Sequence, residues 1–294
     1  MMTTFTAPTS LLTLRSACAQ MGWDLSCDPE LVRLGENAVW RLPEGVIARV
    51  ARSEDRYAQA QRGVALARWM AEHQVPVAAP IEDIDNPHRT REGGVVTFWH
   101  EVPRSRPASP SQLGAALASL HRMPAPCHVD LPRAAAVDKA EARLRVVDLE
   151  EEDRAALLEL AARLQGEYAG LSYELEPTVV HGDAHAANLM ATPEGELGWV
   201  DLDGVGWGQP EWDLVLTGIE YECGWVTDRE YGQFVDAYGY DVMGAPAYAT
   251  LRGIRLLRMT SWLAQLPGAV ERAEVARRVR DLRSGGAIRG WRAF

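Results

Sequence analysis

The stretch from residue 178 to residue 214 constrains the fold of this chain more than any other, because it alternates apolar runs with polar clusters. Two strand-like runs, 188–191 and 196–200, flank the turn sequence Thr-Pro-Glu-Gly. This pattern predicts a β-hairpin. Asn188 stands at its entry and Asp201 at its exit, so the two side chains are expected to meet at its open end.

A third oxygen-bearing side chain, that of Asp183, belongs to the loop that enters the hairpin, five residues before Asn188. One amide and one carboxylate close together suit a hard cation such as Mg²⁺, which takes few protein ligands and keeps waters or phosphates. Asn188 and Asp201 are therefore predicted to bind the metal. Asp183 is left to face a hydroxyl group.

The motif His-Gly-Asp-x-x-x-x-Asn, followed by a strand that ends in Asp, resembles the aminoglycoside phosphotransferase and choline kinase family. That family shares the protein-kinase spacing between the catalytic Asp and the metal-binding Asn. The resemblance implies an α+β, two-lobed, protein-kinase-like fold. A small N-terminal lobe with an antiparallel sheet is expected over residues 1–100, and a larger, mainly helical C-terminal lobe over residues 101–294.

The same resemblance assigns roles in phosphoryl transfer, where the protein mainly positions groups and neutralises charge. Asp183 would accept or orient the proton of the acceptor hydroxyl, and His181 would brace the loop by hydrogen bonding. Asn188 and Asp201 would hold Mg²⁺ on the phosphates of ATP or GTP. Asp213 resembles the family's buried aspartate, which ties the catalytic loop to the following helix.

Two strand candidates near the N-terminus, 31–42 and 45–51, are predicted to carry nucleotide contacts. The bend at Gly35 and Asn37 in the first resembles the family's nucleotide loop, whose backbone amides face phosphates. Arg49 in the second stands where kinases have a lysine that holds the α and β phosphates. Arginine can grip phosphate with two parallel bonds, although an exposed strand arginine is the alternative.

In the helix predicted over 57–72, Arg62 and Gly63 occupy the place where kinases have the glutamate that pairs with the strand cation. Glu54 is the nearest upstream candidate and Glu72 lies far along the helix, so the partner of Arg49 is left open. A further strand, 95–99, leads into a predicted hinge at residues 100–103. In kinase-like folds the nucleotide base bonds to the hinge backbone, so Trp99 and His100 are predicted to contact it.

Apolar periodicity predicts the remaining helices, and the glycine-rich residues 204–208 are interpreted as a flexible loop. The predicted helices cover 10–21, 113–121, 137–147, 153–168, 211–220, 251–265 and 270–283. Asp203 is either a second metal contact or a solvated loop residue, and the sequence favours the second interpretation. Four later carboxylates either face the acceptor or belong to a solvated helix face: Glu220, Glu222, Asp228 and Glu230.

The composition excludes some classes of partner and location. The net charge of −11 argues against nucleic acid and anionic membrane surfaces as partners. No apolar run is long enough to span a bilayer, no signal peptide is evident, and the four cysteines lack metal-type spacing. A cytoplasmic protein with reduced cysteines is expected.

The expected partners are a nucleoside triphosphate and a hydroxylated small molecule, which would be phosphorylated with Mg²⁺ and ATP or GTP as cofactors. An antibiotic, such as an aminoglycoside or another hydroxylated natural product, is the first hypothesis for the acceptor. The alternatives are a metabolic sugar or amino-alcohol kinase and a nucleotide-binding regulator without turnover. Family resemblance fixes chemistry better than substrate.

Overall fold

The computed structural model describes residues 5–25, 28–35, 37–102, 106–127, 129–134 and 138–294, with the backbone alone at 138 and 139. These residues divide into two compact units. The first lies within Met1–Ala108, Pro126–Asp130 and Ala187–Asp203, and the second within Ser109–Ala125, Leu131–Ala186 and Gly204–Phe294. The lobe boundary predicted between residues 100 and 101 stays a prediction.

The first unit contains a five-stranded antiparallel sheet, with the order β1-β2-β3-β5-β4. Its strands are β1 (Glu30–Leu34), β2 (Asn37–Leu42), β3 (Val46–Ala51), β4 (His88–Arg89) and β5 (Val95–His100). Two helices, α1 (Ala7–Gln20) and α2 (Tyr57–Glu72), accompany it. The predicted antiparallel sheet near the N-terminus is confirmed.

The core of this unit follows from the alternation of side chains along β2. Ala38, Trp40 and Leu42 are buried, while the residues between them are only partly covered. Successive side chains of a strand point to opposite faces, so these three share the inner face. They pack in one cluster with Phe98 of β5 and Leu14 of α1.

The single strand predicted over 31–42 is wrong, because this stretch forms the two paired strands β1 and β2. The chain reverses at Gly35, whose N–H donates to the carbonyl of Asn37 at 3.0 Å. Residue 36 lies outside the described residues. The apolar alternation continues through the glycine, so the pattern did not distinguish a bend within one strand from a turn between two.

The hairpin predicted around residues 192–195 is confirmed. Strand β8 (Leu189–Ala191) pairs antiparallel with β9 (Leu197–Trp199), with Leu189 opposite Trp199. A short strand, β6 (Arg106–Pro107), pairs with the other edge of β8. Trp199 is fully buried, which anchors the hairpin within the first unit.

The second unit is mainly helical in its described part. Its helices are α3 (Pro110–His121), α4 (Asp138–Leu144), α5 (Glu151–Tyr168), α6 (Glu211–Cys223), α7 (Asp228–Tyr238), α8 (Tyr248–Leu263) and α9 (Ala269–Ser284). All except α7 were predicted. The acidic start of α7 is explained by a capping box, in which Thr227 and Glu230 satisfy each other's backbone N–H groups.

The flexible loop predicted over 204–208 is wrong, because residues 206–208 form a strand. This strand, β10 (Gly206–Gly208), pairs antiparallel with β7 (Thr178–Val180). The glycines permit close packing, since a Cβ atom at Gly206 would lie 2.6 Å from the carbonyl oxygen of Pro132. Glycine-rich sequence therefore marks close backbone approach here rather than mobility. Across the described residues, no helix is both long and apolar enough to cross a membrane.

Two glycines inside helices of the second unit give a test of this packing. A Cβ at Gly114 of α3 would lie 2.5 Å from the carbonyl oxygen of Phe234 in α7, whereas a Cβ at Gly166 of α5 would meet nothing within 4 Å. Gly114→Ala is expected to lower the free energy of unfolding by about 1–3 kcal/mol through overpacking. Gly166→Ala is expected to raise it by up to about 1 kcal/mol, because alanine favours helix.

Denaturant unfolding of the two variants beside the wild-type protein measures both changes. Equal stability of the two variants would contradict the close packing of α3 on α7.

Candidate active site

A buried carboxylate, that of Asp213 in the first turn of α6, fixes the loop that contains the predicted catalytic aspartate. Its two oxygens accept hydrogen bonds from the backbone N–H groups of His181 at 2.6 Å and Gly182 at 2.8 Å. His121 of α3 donates from Nε2 to the same carboxylate at 3.1 Å, and its Nδ1 forms a hydrogen bond with the Tyr238 hydroxyl at 2.9 Å. The side chain of Asp213 is completely buried.

Burial alone would raise the pKa of Asp213, since it disfavours the charged form. The hydrogen bond and charge of His121, with smaller contributions from His181 and Arg255, instead hold this pKa below its ordinary value. The carboxylate therefore stays ionised and keeps its acceptor oxygens for the loop. This is the tie between loop and helix that the resemblance implies for Asp213.

Gly182 is required in this loop by its backbone. Its φ of +81° is unfavourable for residues with a side chain, and a Cβ there would lie 2.1 Å from the carbonyl oxygen of Gly204. The loop therefore passes directly over the backbone that leads into β10. Asp183 is the next residue, so the constraints on Gly182 also fix the position of the Asp183 backbone.

Asp183 has a half-exposed side chain, with 53% of its surface accessible, which leaves it reachable by a small molecule. Its Oδ1 lies 3.5 Å from Nη1 of Arg255 in α8, and its Oδ2 lies 3.7 Å from Nε2 of His185. A cation on one side and an imidazole on the other orient the carboxylate. Asp183 can therefore accept a hydrogen bond from a hydroxyl group brought to its exposed edge.

Arg255 was missed by the sequence analysis. Its guanidinium is almost fully buried, stacks on the ring of Trp212 at 3.8 Å, and donates to the carbonyls of Gly182 at 2.9 Å and Trp212 at 3.1 Å. Burial lowers its pKa, an effect that the charges of Asp183 and Asp213 partly offset. The sequence does not distinguish Arg255, because Arg252 and Arg258 lie three residues to either side of it in the same helix.

The first unit carries the other predicted residues. Asn188 and Asp201 flank the hairpin as expected, because the Val200 N–H donates to the Asn188 carbonyl at 2.9 Å, so the hairpin pairing continues to its open end. Asp201 has a φ of +58°, which is uncommon for a residue with a side chain. An amide and a carboxylate at one end of a hairpin fit a hard divalent cation, although the metal roles of Asn188 and Asp201 stay predictions.

Arg49 of β3 forms the centre of a polar network in the first unit. Its Nη2 donates to Oδ1 of Asp201 at 3.0 Å and to Oδ2 of Asp203 at 2.9 Å. Asn37 of β2 donates to the same Asp203 oxygen at 3.2 Å. Burial works against the charge of Arg49, but Asp203 and Asp201 together raise its pKa above the ordinary value. Arg49 is thus not the exposed strand arginine that was the alternative.

A cavity adjoins this network. Its lining comprises Asn37, Arg49, Ala51, Arg56, Gln59, Ala60, Gly63, Val95, Thr97, Trp99, Leu202 and Asp203. Three of the predicted nucleotide contacts, Asn37, Arg49 and Trp99, are therefore brought together. Gly35 and His100 are not part of this lining as far as the described residues show.

The hinge residues have partners of their own. The Trp99 indole N–H donates to the Thr97 hydroxyl at 2.8 Å, and Trp99 is largely buried. The backbone N–H groups of His100 and Glu101 donate to the carbonyls of Ala79 at 2.8 Å and Gly45 at 2.6 Å. Base recognition by the N–H groups of these two residues would have to displace bonds within the first unit.

Asp203 is not a solvated loop residue, which corrects the favoured interpretation. It accepts hydrogen bonds from Arg49 and Asn37, and 27% of its side chain is accessible. A local sequence pattern does not contain these contacts, because they join residues more than 150 positions apart.

The four later carboxylates have different surroundings. Glu222 accepts from Tyr248 at 3.0 Å and pairs with Arg252 at 2.5 Å, and Glu230 caps α7. Asp228 lies in the first turn of α7, and its charge raises the pKa of Tyr221. Glu220 of α6 is partly buried, and its burial and the charge of Asp183 raise its pKa to about 7. Of the four, Glu220 is thus the one whose charge is linked to Asp183.

Comparisons with known proteins bear on this site. The model of the phosphotransferase enzyme family matches residues 32–254. Comparison with curated protein sequences gave no match. The chain resembles the amicoumacin kinase hAmiN, whose structure is a complex with AMP-PNP, Ca²⁺ and Ami, with a TM-score of 0.67 and 14% identity over 90% of each chain.

Two further structures are similar. An aminoglycoside-3'-phosphotransferase of type VIII has a TM-score of 0.62 and 22% identity, over 85% of this chain and 99% of the other. A choline/ethanolamine kinase family protein from Mesorhizobium loti has a TM-score of 0.60 and 19% identity over 94% of each chain. The predicted protein-kinase-like fold and the predicted family resemblance are confirmed.

The raised pKa of Glu220 predicts a pH-dependent stability. The native state binds this proton more tightly than the unfolded state, whose glutamate has an ordinary pKa of 4.5. Stability contributed by the proton is therefore complete below pH 4.5 and is lost as the pH rises towards 7. Glu220→Gln is expected to remove this loss, so the variant gains up to about 3 kcal/mol relative to wild type by neutral pH.

Denaturant unfolding between pH 4.5 and pH 8 measures the difference. The exposed Glu159→Gln in α5 is the matched control and should show a constant offset across this range. A constant offset for Glu220→Gln as well would mean that the proton of Glu220 is not linked to folding.

Proposed function

The chain belongs to the phosphotransferase enzyme family, and from that premise we propose that it moves the γ-phosphate of ATP or GTP to a hydroxyl group of a small molecule. The observation that carries the proposal is the loop held by Asp213, which presents the half-exposed Asp183 next to Arg255. A fixed carboxylate of this kind is what hydroxyl activation in phosphoryl transfer requires.

In this mechanism Asp183 orients the acceptor hydroxyl and takes its proton as the oxygen attacks the γ-phosphorus. The bond between the γ-phosphorus and the β–γ bridging oxygen breaks, and the nucleoside diphosphate leaves with that oxygen. Arg255 keeps the Asp183 carboxylate in place throughout. Since the transition state is loose, positioning of these groups supplies most of the catalysis.

The residues of the first unit serve the nucleotide. Arg49 binds phosphate oxygens, and Asn37 and Trp99 belong to the same cavity. Asn188 and Asp201 are the residues that would hold Mg²⁺, which neutralises charge on the phosphates when it is bound. The roles of Gly35 and His100 in nucleotide binding are kept in this proposal as backbone contacts. A cytoplasmic location, where nucleoside triphosphates are abundant, is part of the same proposal.

A hydroxylated antibiotic is the first candidate for the acceptor. Support comes from the similarity to an amicoumacin kinase and to an aminoglycoside-3'-phosphotransferase. An amino alcohol is the second candidate, since the choline/ethanolamine kinase family protein is about as similar in fold. The carboxyl group of Glu220, whose charge is linked to Asp183, would suit an acceptor with an amino group in either case.

A nucleotide-binding regulator without turnover is the hypothesis from another class. Arginine in place of the strand lysine is the observation that motivates it. The ordered surroundings of Asp183 favour turnover instead, because a regulator has no need of a fixed carboxylate beside a hydroxyl site.

The acceptor screen tests the function directly. Purified protein is incubated with ATP or GTP, with Mg²⁺, and with aminoglycosides, other hydroxylated antibiotics, choline, ethanolamine and amino sugars, and phosphate transfer is followed by mass spectrometry. A mass increase of one phosphate on one acceptor class is expected. Nucleotide binding with no transfer to any acceptor would favour the regulator.

Asp183→Ala is expected to reduce kcat by at least about 10²-fold, because general base catalysis and hydroxyl orientation are both lost. Affinity for the nucleotide should stay within about twofold of wild type, since Asp183 is assigned to the acceptor. The exposed Asp236→Ala in α7 is the control and should keep full activity. Loss of nucleotide affinity in the Asp183 variant would show that the assignment of this residue is wrong.

A further inference from the structure

We propose that Asp203 positions Arg49 for phosphate binding, the role that a helix glutamate has towards the strand lysine in protein kinases. The inference rests on the proposed function, because it presumes that Arg49 binds a nucleoside triphosphate. It goes beyond the proposed function because it assigns a role to Asp203, a carboxylate that neither binds the acceptor nor depends on the metal.

The first argument is the set of contacts around Arg49. Its guanidinium is mostly buried, with 18% of the side chain accessible, and donates to Asp203 at 2.9 Å. Asp203 is itself fixed by Asn37, so the three side chains form a chain from β2 through Asp203 to β3. A buried guanidinium needs a partner for its charge, and a partner held by a second hydrogen bond also fixes its direction.

The second argument concerns the helix that would otherwise supply the partner. Residues of α2 and the turn before it contribute Arg56, Gln59, Ala60 and Gly63 to the cavity, and none of these is acidic. Glu54 pairs with Arg89. Glu72 is exposed at the end of α2. Within the described part of the chain, the carboxylates that pair with Arg49 are those of Asp201 and Asp203.

The third argument is the geometry of the guanidinium. Both carboxylates bond the same nitrogen, Nη2. Among the described residues, Nη1 and Nε of Arg49 make no hydrogen bond, so these two donors remain for a phosphate. Arginine presents its donors in a fixed fork, so holding one nitrogen directs the other two. A lysine would bond a carboxylate and a phosphate through the N–H donors of one nitrogen, whereas Arg49 has separate nitrogens for the two.

The fourth argument separates the two aspartates. Asp201 is the more accessible, at 40% against 27% for Asp203, and it stands at the open end of the hairpin beside Asn188. Two carboxylates on one guanidinium carry a net negative charge. Asp201 can therefore turn to a cation while Asp203 keeps Arg49 paired. Asp203 then holds Arg49 with or without the metal.

The sign of the expected effect makes the proposal easy to overturn. A carboxylate near a triphosphate repels it, so an Asp203 with no positioning role would weaken nucleotide binding, and its removal would tighten binding. If Asp203 positions Arg49, Asp203→Asn should weaken binding about tenfold, because a neutral amide oxygen replaces the charged acceptor that holds the guanidinium.

The experiment measures the affinity for ATP and for a non-hydrolysable ATP analogue by calorimetry, once with Mg²⁺ and once with EDTA. Asp203→Asn is expected to weaken binding about tenfold under both conditions. Asp203→Glu keeps the carboxylate and should recover most of the affinity. Glu54→Gln, which removes the acid that pairs with Arg89, is the control and should bind as wild type does.

A double-mutant cycle distinguishes positioning of Arg49 from a general structural role of Asp203. In an Arg49→Met background there is no cation to position, so Asp203→Asn should leave the affinity unchanged or raise it. A tenfold loss in that background would overturn the proposal, as would wild-type affinity in the single Asp203→Asn variant. A loss seen only with Mg²⁺ would make Asp203 a metal ligand and would overturn it as well.

Failure of the proposed function gives a different result. The wild-type protein could bind nucleotide, and Asp203→Asn could weaken that binding as expected, with no transfer of phosphate to any acceptor. This result would support the positioning role of Asp203 and overturn the proposed enzyme activity. A wild-type protein that binds no nucleotide at all would overturn both.

Discussion

The hydrogen bonds from the backbone of His181 and Gly182 to the buried carboxylate of Asp213 are the constraint on which the position of Asp183 depends. A buried carboxylate without donors would be protonated or expelled, because burial penalises its charge. Here the loop, together with His121, supplies the donors that keep it ionised. The loop conformation and the charge state of Asp213 therefore stabilise each other. Because Asp183 is the next residue of this loop, its position is fixed by the same hydrogen bonds.

In the first unit a buried cation, rather than a buried carboxylate, has to be stabilised. The mostly buried Arg49 keeps its charge because Asp201 and Asp203 accept hydrogen bonds from its guanidinium. Since phosphoryl transfer needs positioned charge more than any particular side chain, an arginine with its own aspartate can replace a lysine with a helix glutamate. What must be preserved is a cation with a fixed direction. The helix α2 is then free to face the cavity with Gln59 and Gly63.

The elements of the fold that could be predicted from the sequence are those that depend on residues close together in the chain. The hairpin around residues 192–195 and the helix α2 depend on local turn chemistry and periodicity, and both were found. The pairing of β7 with β10 and the turn between β1 and β2 were missed. The glycines of β10 serve contacts with distant backbone, which a local pattern does not contain, and at Gly35 the pattern did not distinguish a bend within one strand from a turn between two.

The same distinction applies to the residues of the site. Asp183, Asn188, Asp201 and Asp213 were named because their spacing within one stretch expresses a shared chemistry. Arg255 reaches Gly182 from a helix more than 70 residues later, and its burial on Trp212 follows from packing alone. A short motif therefore identifies the family of the chain, while the surroundings of Asp183 depend on the packing of later helices, as the contacts of Arg255 show.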